Sequence, residues 1–155
     1  MPTYNYPPDR DPVFSDILIP TVDNTCINYL LSKLDRTQFN TLLTGEAGSG
    51  KTQNVFTYLK SKNSADREDY SISNINFSSA TTAGILQVNV ESFVDKRQGL
   101  IYGPPNGRKG IVFIDELNIP LINEWNDQPT NELTRQVIEE RGFYALNKPG
   151  EFHQL

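Results

Sequence analysis

The octapeptide GEAGSGKT, which spans Gly45 to Thr52, holds glycines, a lysine and a hydroxyl residue in the spacing G-x-x-x-x-G-K-[ST]. This spacing is typical of a loop that binds phosphate. Glycines allow the backbone to turn successive N–H groups inward onto an anion, with no Cβ in the way. A helix that begins beside the loop adds unsatisfied N–H donors and the positive end of its dipole. The alternative is an ordinary Gly/Ser turn that happens to precede a lysine.

The residues of this phosphate loop have distinct predicted roles. We expect the backbone N–H groups to hold the β-phosphate, and Lys51 to reach the β- and γ-phosphates as a point charge. The Thr52 hydroxyl is a predicted ligand of Mg²⁺. The residues predicted to contact nucleotide in this stretch are Gly45, Glu46, Ala47, Gly48, Ser49, Gly50, Lys51, Thr52 and Gln53.

A second group of candidate residues follows the apolar run Ile111 to Ile114, which leads straight into Asp115 and Glu116. Such a run predicts a strand buried on both faces, and open α/β folds bind ligands at the carboxyl ends of their strands. In P-loop ATPases an acid in the place of Asp115 holds Mg²⁺, and Glu116 would orient the attacking water or accept its proton. Glu116 and Lys51 are therefore the predicted catalytic residues, and Thr52 and Asp115 the predicted metal ligands. Alone, the two acids are a weak signal, because many strands end in solvated acids.

The predicted nucleotide is ATP or ADP, bound with Mg²⁺. Guanine-specific proteins use an Asn-Lys-x-Asp motif to recognise the base. The only Asn-Lys pair here is Asn147 and Lys148, which Pro149 and Gly150 follow, so the guanine-reading acid is missing. An acid at Glu116 also favours an ATPase, because GTPases position water with a different residue.

Hydrophobic periodicity predicts strands that alternate with helices, which indicates an α/β domain with a largely parallel sheet. One-faced helical spacing begins after Asp23, a plausible N-cap, and a short apolar run before the phosphate loop is consistent with a buried strand. Residues 1–15 are rich in proline and read as an extended arm, and the core is predicted over 16–155. The predicted elements are helices at 23–34, 50–61, 80–94 and about 133–142, strands at 39–44, 70–77 and 111–114, and a loop or hairpin at 95–110. The segment 142–155 stays unassigned.

Composition limits the classes of function. The chain has 155 residues, enough for one domain, and a net charge of -5 that argues against a nucleic-acid binder. No apolar run approaches the ~20 residues that span a bilayer. The single cysteine, Cys26, cannot form an internal disulfide, which favours a reducing, cytosolic compartment, and we expect it to be a small buried residue. His153, in a polar stretch, is expected at the surface.

Four segments together resemble the central AAA+ modules of dynein heavy chains. They are ILIPTVDNTCINYLLSKL, INFSSATT, DKRQGLIYGPPNGRKGIVFIDELNIP and QPTNELTRQVIEERGFY, and the similarity runs from about Asp16 to Leu155. The resemblance implies an α/β P-loop NTPase (AAA+) large subdomain, a parallel sheet with flanking helices, and it favours the third module, with the second next. It implies that Pro20 and Thr21 lie against the adenine. It also implies an incomplete core, with the sensor strand, the arginine finger and the helical lid beyond Leu155.

The implied function is an ATP-binding, and by motif ATP-hydrolysing, module that contributes to microtubule motor activity. The isolated chain is expected to be truncated and inactive. One alternative is a regulatory nucleotide-binding module without significant hydrolysis, and another is a small P-loop kinase or GTPase. The implied partners are neighbouring AAA+ modules, dynein light and intermediate chains, and microtubules, with no direct contact to nucleic acid or membrane. The implied location is the cytoplasmic cytoskeleton, in a cilium or flagellum axoneme.

Overall fold

The computed structural model describes residue 19 and residues 21–62 and 70–155. The arm predicted for residues 1–15 and the predicted contact residue Pro20 therefore lie outside the described residues. The chain divides into two compact units, Met1–Tyr58 and Leu59–Leu155, and each is described separately. No helix of the described residues is both long and apolar enough to cross a bilayer.

The first helix of the first unit, α1, spans Val22–Thr37. Its N-cap is Thr21, whose Oγ1 accepts a hydrogen bond from the Asn24 N–H at 3.2 Å. The prediction that Asp23 is the N-cap was therefore wrong, and Asp23 lies in the first turn, where its charge favours the positive end of the helix dipole. Cys26 is exposed, which contradicts its expected burial. It lies about 100° around the helix from Ile27, which is half-buried.

The segment 39–44 approaches the phosphate loop without forming a strand, so that prediction was wrong. Strand assignment depends on backbone hydrogen bonds to a neighbouring strand, and no described strand pairs with this segment. Two of its apolar side chains are open to solvent, with Phe39 71% and Leu42 70% exposed, and Leu43 is half-buried. The next helix, α2, spans Lys51–Lys62 and confirms the predicted helix after the loop.

The second unit begins with a parallel pair of strands. Strand β1 spans Tyr70–Asn76 and pairs with β4, Lys109–Asp115, in a register that runs from Tyr70 opposite Lys109 to Asn76 opposite Asp115. Between them, helix α3 spans Ala83–Phe93, and after them α4 spans Pro129–Glu139. Both strands and both helices were predicted, and the parallel pairing agrees with the predicted α/β class.

The core of this unit forms between α3, α4 and the end of β1. Leu86 and Val90 lie one turn apart on α3 and pack with buried residues from the strands and α4. The buried cluster consists of Ile75, Phe77, Leu86, Val90, Leu133 and Phe143. A buried hydrogen bond from Thr130 Oγ1 to the Thr81 carbonyl oxygen, at 3.0 Å, joins α4 to the turn that precedes α3. This core holds the carboxyl end of β4 in place, because Ile114 packs against the cluster.

The prediction that the 111–114 strand is buried on both faces was wrong. Val112 is 42% exposed, and Ile111, Phe113 and Ile114 are only half-buried. Among the described strands, β1 is the one neighbour of β4. An apolar run therefore predicted the strand but not the coverage of its two faces.

A second sheet has the order β2-β3-β6-β5. The predicted hairpin at 95–110 forms β2, Asp95–Gln98, and β3, Ile101–Gly103, followed by a short 3-10 turn at Pro105–Gly107. The unassigned segment supplies β5, Gly142–Tyr144, and β6, Phe152–Gln154. Strand β6 pairs parallel to β3 and antiparallel to β5.

His153 on β6 is only 7% exposed, so its expected surface position was wrong. Its ring lies 4.8 Å from the Tyr102 ring and 5.4 Å from the Phe143 ring, centroid to centroid. Its Nε2 lies 2.9 Å from Glu151 Oε1. The hydrogen bond with His153 is the largest cause that holds the pKa of the Glu151 carboxyl below its ordinary value, and the charge of Lys148 is a further one.

Candidate nucleotide-binding site

The phosphate loop, Gly45 to Thr52, is a turn that leads directly into α2. Gly48 has φ +78 and Gly50 φ +76, both in the left-handed region that glycine adopts without a Cβ clash. The Ser49 N–H and Oγ both donate to the Glu46 carbonyl oxygen, at 3.3 and 2.8 Å. The chain is therefore folded back on itself at the point where the glycine spacing predicted an anion nest.

Lys51 lies over this turn. Its Nζ donates to the Gly45 carbonyl oxygen at 2.9 Å, to the Glu46 carbonyl oxygen at 2.7 Å and to Ser49 Oγ at 3.2 Å. An ammonium has three N–H donors, so oxygens of the loop itself take all three. The charge is thereby held at the loop, and a phosphate oxygen is an acceptor that would compete for these donors because it carries negative charge.

The other predicted contact residues of the loop surround this turn. Glu46 and Ala47 are exposed in the loop, and Thr52 and Gln53 are half-buried in the first turn of α2. The first turn of a helix presents N–H groups that have no acceptor within the helix, together with the positive end of the dipole. The structure therefore brings a helix N-terminus, a lysine and the two left-handed glycines into one loop.

Asn24 and Asn54 also contact this region, and the sequence reasoning missed both. Asn54 is fully buried, at 0% exposure, and its Nδ2 donates to the Gly50 carbonyl oxygen at 3.0 Å. The same Nδ2 donates to Asn24 Oδ1 at 3.1 Å. The available signal was the position of Asn54 one helical turn before Tyr58 and next to Val55 in the sequence, because a polar residue on the apolar side of a helix needs hydrogen-bond partners.

The two predicted acids lie in the second unit. Asp115 ends β4, is half-buried, and accepts a hydrogen bond from the Phe77 N–H on its carbonyl oxygen at 3.0 Å. Its Oδ1 accepts from the Glu116 N–H at 3.1 Å. Glu116 is exposed and has φ +57, an uncommon left-handed conformation for a residue with a side chain. The chain turns sharply here, with the Ile119 N–H donating to the Glu116 carbonyl oxygen at 3.0 Å.

The two acids can therefore present carboxylates at the carboxyl end of a parallel strand, as predicted. The hydrogen bond from the Phe77 N–H holds the Asp115 carbonyl at the end of β4, while the left-handed turn takes Glu116 out of the strand direction. Carboxylate and hydroxyl oxygens are the ligands that Mg²⁺ prefers, so the side chains of Asp115 and Thr52 have suitable chemistry for that ion. Thr21, predicted to lie near the adenine, caps α1, and its contact with a base stays a prediction.

A glycine-rich loop that opens a helix, with acids at the end of a parallel strand, defines an α/β protein of the P-loop class. Residues 6–155 match the sequence model of the family described as the P-loop containing dynein motor region, and the chain belongs to this family. The resemblance to dynein heavy chains and the P-loop fold class are thereby confirmed.

Curated relatives extend this comparison. The chain is 48% identical over 155 residues to dynein axonemal heavy chain 5 of Rattus norvegicus, and 50% identical over 149 residues to dynein axonemal heavy chain 8 of Homo sapiens. It is 38% identical over 150 residues to the dynein gamma chain of the flagellar outer arm of Chlamydomonas reinhardtii. These matches cover 100%, 96% and 96% of this chain, which spans 3–4% of the length of these relatives.

Proposed function

We propose that this chain is an ATP-binding AAA+ module of an axonemal dynein heavy chain, with the third module favoured and the second next. The observation that carries the proposal is the phosphate loop, in which the Lys51 ammonium is bonded to the carbonyl oxygens of Gly45 and Glu46, and two glycines at the start of α2 are left-handed. The names of its relatives support a place in the cytoskeleton of a cilium or flagellum. The proposed partners are neighbouring AAA+ modules, light and intermediate chains, and microtubules.

In this proposal the loop residues bind the nucleotide, ATP or ADP, through backbone N–H groups and the Lys51 ammonium. Thr52 and Asp115 would hold Mg²⁺, which would supply positive charge to the phosphates. Glu116 would orient water and accept its proton. Its exposure and its position just past the strand leave the carboxylate accessible for that role.

Binding and hydrolysis depend on different residues, and one substitution separates them. Glu116→Gln keeps the size and hydrogen-bonding capacity of the side chain and removes the proton acceptor. We expect the full-length protein with this substitution to bind Mg·ATP with unchanged affinity and to lose the phosphate release that this module contributes. Phosphate release by stopped-flow and affinity by calorimetry are the measurements.

Glu124→Gln is the matched control, because Glu124 is an exposed acid in the loop that follows the same strand. Undiminished phosphate release in Glu116→Gln would remove Glu116 from the proposed role. Tight nucleotide binding without turnover in the unsubstituted protein would support the regulatory module instead.

A further inference from the structure

We propose that Asn54 is a positioning residue for phosphate binding, and that with Asn24 it couples the phosphate loop to the segment at Ile19 and Thr21. The inference rests on the proposed nucleotide binding and goes beyond it. Neither asparagine belongs to the phosphate-loop pattern, and both interactions lie within the first unit of the chain.

The first step is the carbonyl that Asn54 binds. The Gly50 carbonyl oxygen accepts the Asn54 backbone N–H at 2.9 Å and the Asn54 Nδ2 at 3.0 Å. A carbonyl oxygen has two lone pairs, so both of its acceptor sites are used and its direction is fixed. This restraint acts on a glycine with φ +76, the residue type with the greatest backbone freedom.

The second step follows from the planarity of the peptide. The Gly50 carbonyl and the Lys51 N–H belong to one planar trans peptide, in which they point in opposite directions. A carbonyl that is held toward the buried Asn54 therefore directs the Lys51 N–H away from it. That N–H is one of the predicted phosphate donors, so Asn54 orients a donor of the nest without contacting phosphate itself.

The third step is the link to α1. Asn24 Oδ1 accepts from Asn54 Nδ2 at 3.1 Å, and Asn24 Nδ2 donates to the Ile19 carbonyl oxygen at 3.3 Å. The Asn24 backbone N–H donates to Thr21 Oγ1 at 3.2 Å. Two side-chain amides thus connect the segment expected beside the adenine with the loop expected beside the phosphates. A change in the position of one segment is transmitted to the other through these hydrogen bonds.

The orientation of the Asn54 amide follows from its partners. Reversing it would place Oδ1 against two acceptor oxygens, whereas the observed orientation leaves Oδ1 buried with no protein partner among the described residues. A buried acceptor without a partner costs about 1–3 kcal/mol. An apolar residue would avoid this cost, so the asparagine is better explained by positioning than by stability alone.

Three variants of the full-length protein test the inference. Asn54→Val removes both side-chain hydrogen bonds, and we expect about tenfold weaker binding of both Mg·ADP and pyrophosphate. The side chain in Asn54→Thr has nearly the same shape as that in Asn54→Val. Its hydroxyl, however, can donate to the carbonyl oxygen four residues earlier, as Thr57 Oγ1 does to the Gln53 carbonyl oxygen at 2.9 Å. We expect this variant to bind pyrophosphate within about threefold of the unsubstituted protein, and to bind Mg·ADP about fivefold more weakly, because the hydrogen bond to Asn24 is still lost.

Asn24→Ala breaks only the link to α1. We expect about fivefold weaker binding of Mg·ADP and nearly unchanged binding of pyrophosphate, which has no base. Asn28→Ala is the control, because Asn28 lies one turn later on α1 and donates to the Asn24 carbonyl oxygen at 2.9 Å, outside the coupling. A purely structural role would lower the unfolding temperature without this difference between the two ligands.

The affinities are measured by calorimetry at a temperature where circular dichroism shows each variant folded, with Lys51→Ala as the background for other nucleotide sites. The inference is overturned, and the proposed function stands, if Asn54→Val binds both ligands as tightly as the unsubstituted protein while Lys51→Ala binds them more weakly. Equal binding by Lys51→Ala and the unsubstituted protein would instead overturn the proposed function, and this inference with it. If Asn54→Val does not fold, the test falls to the two α1 variants. The coupling is overturned if Asn24→Ala and Asn28→Ala bind Mg·ADP with equal affinity.

Discussion

Replacing Lys51 by alanine is the most direct test of the phosphate loop. The substitution removes a unit positive charge and three hydrogen bonds, to the carbonyl oxygens of Gly45 and Glu46 and to Ser49 Oγ. We expect nucleotide affinity to fall sharply, because the ammonium is the one formal positive charge in the eight-residue loop. Folding should be affected much less, since the lost bonds join parts of an exposed turn.

The size of the effect follows from two opposing contributions. An ammonium and a phosphate charge about 4 Å apart attract by about 4 kcal/mol at the effective dielectric constant of a protein surface. The ammonium must give up part of its bonding to the loop oxygens, which offsets about 1–2 kcal/mol. The net loss on substitution is about 2–3 kcal/mol, or about 30- to 150-fold in Kd.

Thermal unfolding of the full-length protein with and without Mg·ADP measures this loss. At a nucleotide concentration about 100 times the Kd, binding adds about 2.7 kcal/mol to stability, and a variant with about 100-fold weaker affinity gains only about 0.4 kcal/mol. Lys60→Ala is the matched control, because it removes the same charge from an exposed position on the same helix. Equal nucleotide-dependent stabilisation in Lys51→Ala and Lys60→Ala would refute the assignment of the loop.

Two further predictions concern stability. Gly48→Ala adds a methyl group with nothing within 4 Å of it, but at φ +78, where a side chain is strained. We therefore expect the free energy of unfolding, measured by urea denaturation, to fall by about 1–2 kcal/mol. Gly84→Ala, in α3 without a positive φ, should be neutral or slightly stabilising, and equal effects of the two would contradict the left-handed loop. Because the pKa of Glu151 is lowered from its ordinary value of 4.5, its ionised carboxylate stabilises the fold at pH values above 4.5. This contribution is lost as the pH falls through the lowered pKa. His153→Phe keeps a ring between Tyr102 and Phe143 but has no hydrogen-bonding group for Glu151, so its urea midpoint should fall less steeply with acid; an identical pH profile would contradict the role of the His153 hydrogen bond.

The elements beside the candidate site could be predicted because local signals determine them. The helix that starts at Lys51 follows from the loop and from its own apolar spacing, and β4 follows from a run of apolar residues that ends in two acids. Predictions were wrong where the outcome depends on a neighbour. The segment 39–44 has strand composition, but a strand needs a partner, and the apolar side chains of β4 have only one neighbouring strand among those described.

Polar residues in buried positions were the hardest to predict. His153 stands in a polar stretch, yet β6 places it between Tyr102 and Phe143. In the sequence Asn54 is an ordinary helical residue, and only the folded structure shows that Gly50 and Asn24 are its hydrogen-bond partners. The partners of such side chains come from parts of the chain that composition and periodicity do not connect.

The sequence by itself determined the phosphate loop, the order of most helices and strands, the two acids and the family to which the chain belongs, because each depends on residue type and spacing within a short stretch. Tertiary structure decided which side chains are buried, how β2, β3, β5 and β6 assemble into one sheet, and how Lys51 and Asn54 are bonded within the loop. The physical reason is that burial and hydrogen bonding are properties of pairs of groups, and folding alone determines which distant groups become neighbours.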